Sequence, residues 1–146
     1  MDLFSALSVS ASGMSAQRTR AALLVENIAN SETTRTPEGG PYRRKDAIFS
    51  SEQVGSAFGS ELDAQLKGEP LTGVTVSGIS VDTSAPEKRY MPGHPDADAQ
   101  GYVALPKVNP AEDMVDLMGA SRGYEADVAA IGAIKDMIQH SISLLS

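Results

Sequence analysis

The chain contains no cysteine, which excludes disulfide bonds, thiolate metal ligands and cysteine nucleophiles together. Tryptophan is also absent and aromatics make up only 5% of 146 residues, so the core must rest on Val, Ile, Leu, Met and Ala. That composition favours thin helical seams over a thick globule. No uninterrupted apolar run is long enough to span a bilayer. The opening Met1-Asp2-Leu3-Phe4 carries no basic segment, and serines break the stretch after it, so no cleavable signal peptide is expected. Positive charge is scarce as well: the net charge of −7 argues against nucleic-acid binding, which needs clustered Lys and Arg. The single basic run, Arg43-Arg44-Lys45, is followed by Asp46 and flanked by Glu38 and Glu52, and reads as a solvated loop.

Length and a 41% hydrophobic content suit one domain with a modest core. Residues 1–30 hold one helical pattern. Phe4, Leu7, Ala11, Met14, Ala21, Val25 and Ile28 recur in steps of three and four, interrupted at Arg18. Such steps average about 3.5 residues and keep one stripe turned towards a partner helix, as in a coiled coil. Small residues border the stripe, and Gly13 inside the helix, where glycine costs about 1 kcal/mol relative to alanine, fits either close packing or a tolerated defect.

The helix is expected to stop near Asn30, because Ser31-Glu32-Thr33-Thr34 favours side-chain-to-backbone bonding and Thr36-Pro37 pushes the chain extended. Glu38-Gly39-Gly40-Pro41 is a turn signal. Over 42–107 helical periodicity disappears. Leu71-Thr72-Gly73-Val74-Thr75-Val76 and Ile79-Ser80-Val81 alternate as half-buried strands do, 52–67 is compatible with either a short helix or a loop, and Pro92, Pro95, Pro106, Gly93 and Gly101 make 90–106 an ordered loop or extended segment rather than regular sheet.

Helical order restarts with clear punctuation: Asn109 as N-cap, Pro110 at the first helical position and Glu112 three residues after the cap. Apolar positions run Met114, Leu117, Ser121, Tyr124, Val128, Ile131 and, after a slip of phase, Ile134, Ile138, Ile142, Leu145. The expected fold is mainly α: the two terminal helices, 1–30 and 108–146, pair as an antiparallel coiled-coil-like hairpin around a Gly/Pro-rich β and loop insert, 31–107. Leu3, Leu23, Leu24, Met118 and Ile134 widen the apolar arc beyond what one partner helix covers, so the helices are expected to complete their core with other subunits. Gly119 and Gly123, four apart, permit close backbone contact in a soluble helix pair.

Catalytic chemistry has little to work with. No phosphate-binding GxxxxGK[ST], HExxH or GxSxG occurs, and no cofactor is expected. His94-Pro95-Asp96-Ala97-Asp98 is the one crowding of His and carboxylate, and it reads as a turn with acidic caps rather than a metal site. His140 reads as a partly exposed surface residue. Two other readings compete with an assembly subunit. One is a closed bundle whose 85–106 loop binds a peptide or cell-wall glycan, and the other is a cell-wall hydrolase using Asp96 and Asp98.

Ala11-Ser12-Gly13-Met14, Asn27-Ile28-Ala29-Asn30 and the run from Thr33-Thr34-Arg35-Thr36-Pro37 through Glu38-Gly39-Gly40-Pro41-Tyr42-Arg43-Arg44-Lys45 resemble the N-terminal signature of flagellar basal-body rod proteins. Tyr90-Met91-Pro92-Gly93-His94-Pro95-Asp96-Ala97-Asp98-Ala99 and Gly101-Tyr102-Val103 are similar to proximal-rod members in particular, and Ala120-Ser121-Arg122-Gly123-Tyr124-Glu125-Ala126 to the family's closing helix. Asp127 and Gly132 depart from the asparagine more frequent there, and Lys107 interrupts the usual Pro-Asn-Val-Asn approach to the last helix. The resemblance implies a non-enzymatic structural subunit of the proximal rod whose terminal helices line the inner tube while the insert faces outward. It also implies export by the flagellar type III route without a cleaved signal, and a place in the periplasm-spanning rod. The partners implied are other proximal and distal rod proteins, the rod-to-ring adaptor, the export apparatus and the MS ring, in a hetero-oligomer without nucleic acid or a transmembrane segment.

Overall fold

A computed structural model describes residues 3–53 and 72–144. Helix α1 runs Leu3–Ala29 and helix α2 Pro110–Ser143. Between them lie strands β1, Lys45–Gln53, β2, Thr72–Val81, β3, Glu87–Tyr90, and β4, Tyr102–Leu105. The strands form two separate antiparallel pairs, β1 with β2 and β3 with β4. The expected mainly helical fold with a small β insert is what the chain adopts.

Asn109 caps α2 as its sequence suggests: it is extended, and its Oδ1 accepts from the Ala111 N–H at 3.2 Å, with Pro110 following where no N–H is needed. At 34 residues α2 is about 51 Å long. It runs antiparallel to α1. Arg20 Nη2 sits 3.5 Å from Asp116 Oδ1, and Gly123 and Gly13, further along, lie against Gln17 and Asp127.

The β1–β2 ribbon is amphipathic through a one-residue irregularity. Ala47 pairs with Ile79, then the register shifts between Ile48 and Phe49 so that Phe49 pairs with Val76 and Ser51 with Val74. Without that shift Val76 and Val74 would turn to the opposite face from Ile79 and Val81; with it, one face carries Ala47, Phe49, Val74, Val76, Ile79 and Val81. α1 supports this ribbon, and Ser12 Oγ accepts from the Val74 N–H at 3.0 Å. A lone two-stranded ribbon is at best marginal in water, so the helix is what makes it persist.

Three readings of the insert need correction. The strand expected in two pieces is continuous from Thr72 to Val81, and Leu71 lies outside the described residues, as does 54–67 of the undecided segment, whose first residues, Glu52 and Gln53, finish β1. Strand β1 was not expected at all. The 90–106 stretch is not wholly irregular, because Tyr102–Leu105 pairs with Glu87–Tyr90. The prolines stay out of this ladder: Pro92 and Pro95 sit in the turn-rich connection, and Gly101, at φ 84°, re-enters the strand under the Tyr90 ring, which a Cβ there would approach to 2.9 Å. Tyr90 and Tyr102 close the end of the pair edge to face at 5.4 Å.

Candidate subunit interface

The seam of the helical hairpin is built mostly of small and polar residues. Along α2 the residues facing α1 repeat every seven positions: Asp113, Ala120, Asp127 and Ile134, with Gly123 between. Opposite them stand Gly13, Ala16, Leu23 and Asn27. A Cβ on Gly13 would come within 2.7 Å of Asp127 Oδ2, and one on Gly123 within 3.2 Å of the Gln17 side chain, so the glycines let the two backbones approach. The tight packing suggested for Gly13 is present. Of the Gly119–Gly123 pair only Gly123 makes such a contact, and Gly119 faces open space.

The apolar stripes lie elsewhere. On α1 the predicted set is turned nearly opposite the seam at 100° per residue, and on α2 by roughly a quarter turn. Phe4 is 71% exposed, Val25 52%, Val128 46% and Ile142 63%. Ala11, Met114 and Tyr124 are also exposed, while Leu7, Met14, Ile28, Leu117, Ile131 and Ile138 are half-buried; Leu145 lies outside the described residues. The expectation that these stripes meet each other inside the hairpin is therefore incorrect. The reason is steric: Gly13, Ala16, Ala120 and Gly123 let the helices close to a distance that Phe4, Val25 or Met114 would prevent. Leu23, Leu24 and Ile134, read as extending the exposed arc, are instead part of the buried set.

Where the hairpin meets the insert, one asparagine makes the joint. Asn27 is completely buried. Its Nδ2 donates to the Lys45 carbonyl at 2.9 Å, and its Oδ1 accepts from both the Lys45 N–H and the Tyr42 hydroxyl at 2.9 Å. A side-chain amide has one donor face and one acceptor face, so it pairs with the backbone at the start of β1 as a neighbouring strand would. Burial, and then the charges of Glu26, Asp113 and Asp46, push the Tyr42 phenol up to about 12, and it stays a neutral donor. Asn30 shapes the exit from α1: its Nδ2 donates to the Glu26 carbonyl at 2.9 Å and its Oδ1 accepts from Thr33 Oγ1 at 3.1 Å. Pro37 opens a turn closed by Gly39 N–H to the Thr36 carbonyl, with Gly39 and Gly40 at φ 92° and 78°. Thr34 Oγ1 donates to Asp96 Oδ2 at 2.7 Å, tying this turn to the Pro92-Gly93-His94-Pro95 segment, where His94 Nδ1 accepts from the Asp96 N–H at 3.1 Å. The signature residues are thus joint-making residues of the insert.

The basic run is not a solvated loop. Arg43 donates to the Asp82 carbonyl, Lys45 pairs with Glu26, and Arg44 bridges Asp46 and the wholly buried Asp113, reaching Asp113 Oδ1 at 3.0 Å. Burial opposes the Arg44 charge, but Asp46 and Asp113 outweigh it and hold its pKa above the ordinary value. Neither Asp113 oxygen accepts a well-formed hydrogen bond from the described residues. Burial raises the Asp113 pKa above 3.8 against the pull of Arg44, helped by Asp46, Asp116 and Glu112. A raised folded value means that this group's contribution to stability is complete below 3.8 and is lost as pH climbs through the folded value. Relative to Asp113→Asn, the wild-type chain should therefore gain unfolding free energy as pH is lowered from about 7 to about 4. Parallel urea-unfolding curves across that range would contradict the assignment.

The acidic turn is occupied by its own backbone and neighbours. Asp96 is bound by Thr34 and faces Arg35 at 3.8 Å, and Asp98 Oδ1 accepts from the Gln100 and Tyr102 N–H groups at 2.9 Å, which holds its pKa below the ordinary value. Among the described residues no three His, Asp or Glu converge as metal ligands, and no helix is long and apolar enough to cross a membrane.

The chain is 41% identical to the flagellar basal-body rod protein FlgC of Borreliella burgdorferi over 151 residues, covering 99% of each chain. The chain belongs to the FlgC family. Two further FlgC relatives agree, from Bacillus subtilis at 41% identity over 99% of each chain and from Salmonella typhimurium at 34% over 99% of this chain and 98% of the relative. The family model described as "Flagellar basal body rod FlgEFG protein C-terminal" matches residues 99–144, which covers β4 and all of α2. FlgC proteins are structural components of the flagellar basal-body rod, and this chain is such a subunit, assembling with other basal-body components. Sequence reasoning placed the apolar faces but missed the seam and the partners of Asn27. The seven-residue spacing of Asp113, Ala120, Asp127 and Ile134 was the available signal, hidden because two of the four are aspartates.

Proposed function

We propose that this subunit belongs to the proximal part of the rod and is built into it by the outward apolar faces of α1 and α2. Phe4, Leu7, Ala11, Met14, Val25 and Ile28 on one helix, and Met114, Leu117, Tyr124, Val128, Ile131, Ile138, Ile142 and Leu145 on the other, form the subunit interface. The observation that carries this reading is the inversion of the hairpin: its seam is lined mostly by glycine, alanine and charged or amide side chains, with Leu23 and Ile134 its large apolar members, while Phe4, Val25, Val128 and Ile142 face outward. Apolar surface left in water on two adjoining helices is stabilised by lateral association. In the assembled rod the helices, 1–30 and 108–146, form the inner axial layer and the insert, 31–107, the outer one, contacting other proximal and distal rod subunits, the rod-to-ring adaptor, the export apparatus and the MS ring. The protein acts by packing, not by catalysis. It reaches the periplasm-spanning rod by the flagellar export route without a cleaved signal.

A photo-activatable cross-linking residue at Val25 or Val128, in cells making flagella, tests this directly. Adducts with other rod proteins are expected at both positions, with none from the same residue placed at Ala120 in the seam. Absence of adducts from Val25 and Val128 in motile cells would overturn the interface.

A further inference from the structure

The seam repeats, and repetition leaves its register open. On α2 the residues facing α1, Asp113, Ala120, Asp127 and Ile134, are spaced by seven, and on α1 Gly13, Arg20 and Asn27, Ala16 and Leu23, and Gln17 and Leu24 are spaced in the same way. Sliding one helix past the other by seven residues, about 10 Å, therefore brings equivalent positions face to face again. The large apolar members, Leu23, Leu24 and Ile134, favour contact in any of these registers, because burial of apolar surface has no direction. Nor does the Arg20–Asp116 pair decide between them: its side chains are 37% and 40% exposed, and ion pairs so open to water contribute little.

Two contacts are not interchangeable. Gly13 is the one glycine of α1, and a Cβ there would come within 2.7 Å of Asp127 Oδ2. Gln17, one turn further along α1, lies 3.2 Å from where a Cβ on Gly123 would be, and Gly123 is one turn before Asp127. Each helix thus offers a glycine notch and, one turn away, a polar side chain that fills the notch of the other. A slip of seven would set Gln17 against Asp116 or Ala130 and Asp127 against Ala6 or Arg20, and each of these carries the Cβ that the glycines lack. The other glycines of α2, Gly119 and Gly132, face open space. Gln17 Oε1 is also buried and accepts no hydrogen bond from the described residues, which lowers stability where Leu or Met would not. A costly polar group in a helical seam has one well-attested use, the selection of one register among several. We infer that Gln17 and Asp127, seated on Gly123 and Gly13, fix the axial register of the hairpin. That register puts Asp113 3.0 Å from Arg44 and so joins α2 to the insert. A slip of seven would carry Asp113 about 10 Å away.

Spin labels read the register directly, because a chain without cysteine takes them only where cysteine is introduced. Ala22 and Gln139 are exposed; Ala22 lies near the end of α1, and Gln139, beyond Asp127 on the antiparallel helix, near its start. Nitroxides on the full chain carrying Ala22→Cys and Gln139→Cys should give one separation by double electron–electron resonance. Adding Gln17→Leu, or Gln17→Met, which keeps the length and removes the amide, should leave the urea midpoint unchanged or higher and add a second population displaced by about 10 Å. Leu24→Ala is the control: it empties part of the seam and should lower the urea midpoint while keeping the single separation. One native separation in both Gln17 variants, whatever their midpoints, rules the assignment out, and so does the same second population in Leu24→Ala. Neither result touches the subunit interface, which the labels at Val25 and Val128 test.

Discussion

Asn27→Ala is expected to lower the unfolding free energy by about 3 to 5 kcal/mol, since it strips partners from one buried and two part-buried polar groups at roughly 1–3 kcal/mol each, the part-buried pair at the lower end. The groups are the Lys45 N–H, the Lys45 carbonyl and the Tyr42 hydroxyl. Water cannot replace the amide without opening the joint, because Asn27 has no exposed surface and Tyr42 is buried over it. A loss of that size is a large share of the 5–15 kcal/mol typical of a whole domain. Tyr42→Phe gives the contrasting case: it removes one hydroxyl and leaves the amide-to-backbone pairing intact, so about 1 kcal/mol is expected. Urea unfolding read by circular dichroism distinguishes the two. Hydrogen exchange of the β1 amides should accelerate in Asn27→Ala well before that of the mid-helix amides, because Asn27 joins the ribbon to the helix. If Asn27→Ala proved no worse than Tyr42→Phe, the asparagine would be a bystander in the fold.

The second large effect separates assembly from folding. Val25→Asp and Val128→Asp place a charge on positions that water already reaches in the single chain, so the unfolding free energy of the isolated protein should change by no more than about 0.5 kcal/mol. In the rod the same carboxylate must be buried without a partner, and swimming should be abolished. Ile28 and Ile131 are less clean sites for such a test, since both are half-buried and a charge there acts on folding as well as on assembly. Ala120→Asp is the converse control: Ala120 is buried against α1, and an aspartate there should unfold the isolated hairpin. Normal motility with Val25→Asp and Val128→Asp would remove the outward faces from the interface.

Much of the site was readable in advance because it is local. Helix α2 begins where Asn109-Pro110 says it should, since a cap and a missing N–H act within one turn. The Pro37-Glu38-Gly39-Gly40 turn follows from backbone dihedrals that proline and glycine favour individually. Strand β1 was hidden because Lys45-Asp46-Ala47-Ile48-Phe49 alternates poorly; its pairing is enforced from outside, by Asn27 at its first residue and a register shift at Phe49. The role of Arg44 was hidden for a similar reason, since Asp113 is 69 residues away in the chain and meets it only through the hairpin.

By itself the sequence determined where the helices start and stop, that each carries an apolar stripe, that thiol chemistry is impossible, and, through its signature residues, the family. Those properties depend on neighbours within a turn or on composition, which folding does not change. Only the tertiary structure decided which side of each helix closes the hairpin. Periodicity says that a stripe exists but not what it meets. Here the glycines and alanines of the other side allow closer backbone contact, and Asn27 and Arg44 supply bonds that no apolar side chain can make. The buried seam is therefore the one rich in small and polar residues, with Leu23 and Ile134 among them, and the longer apolar stripes stay largely on the outside.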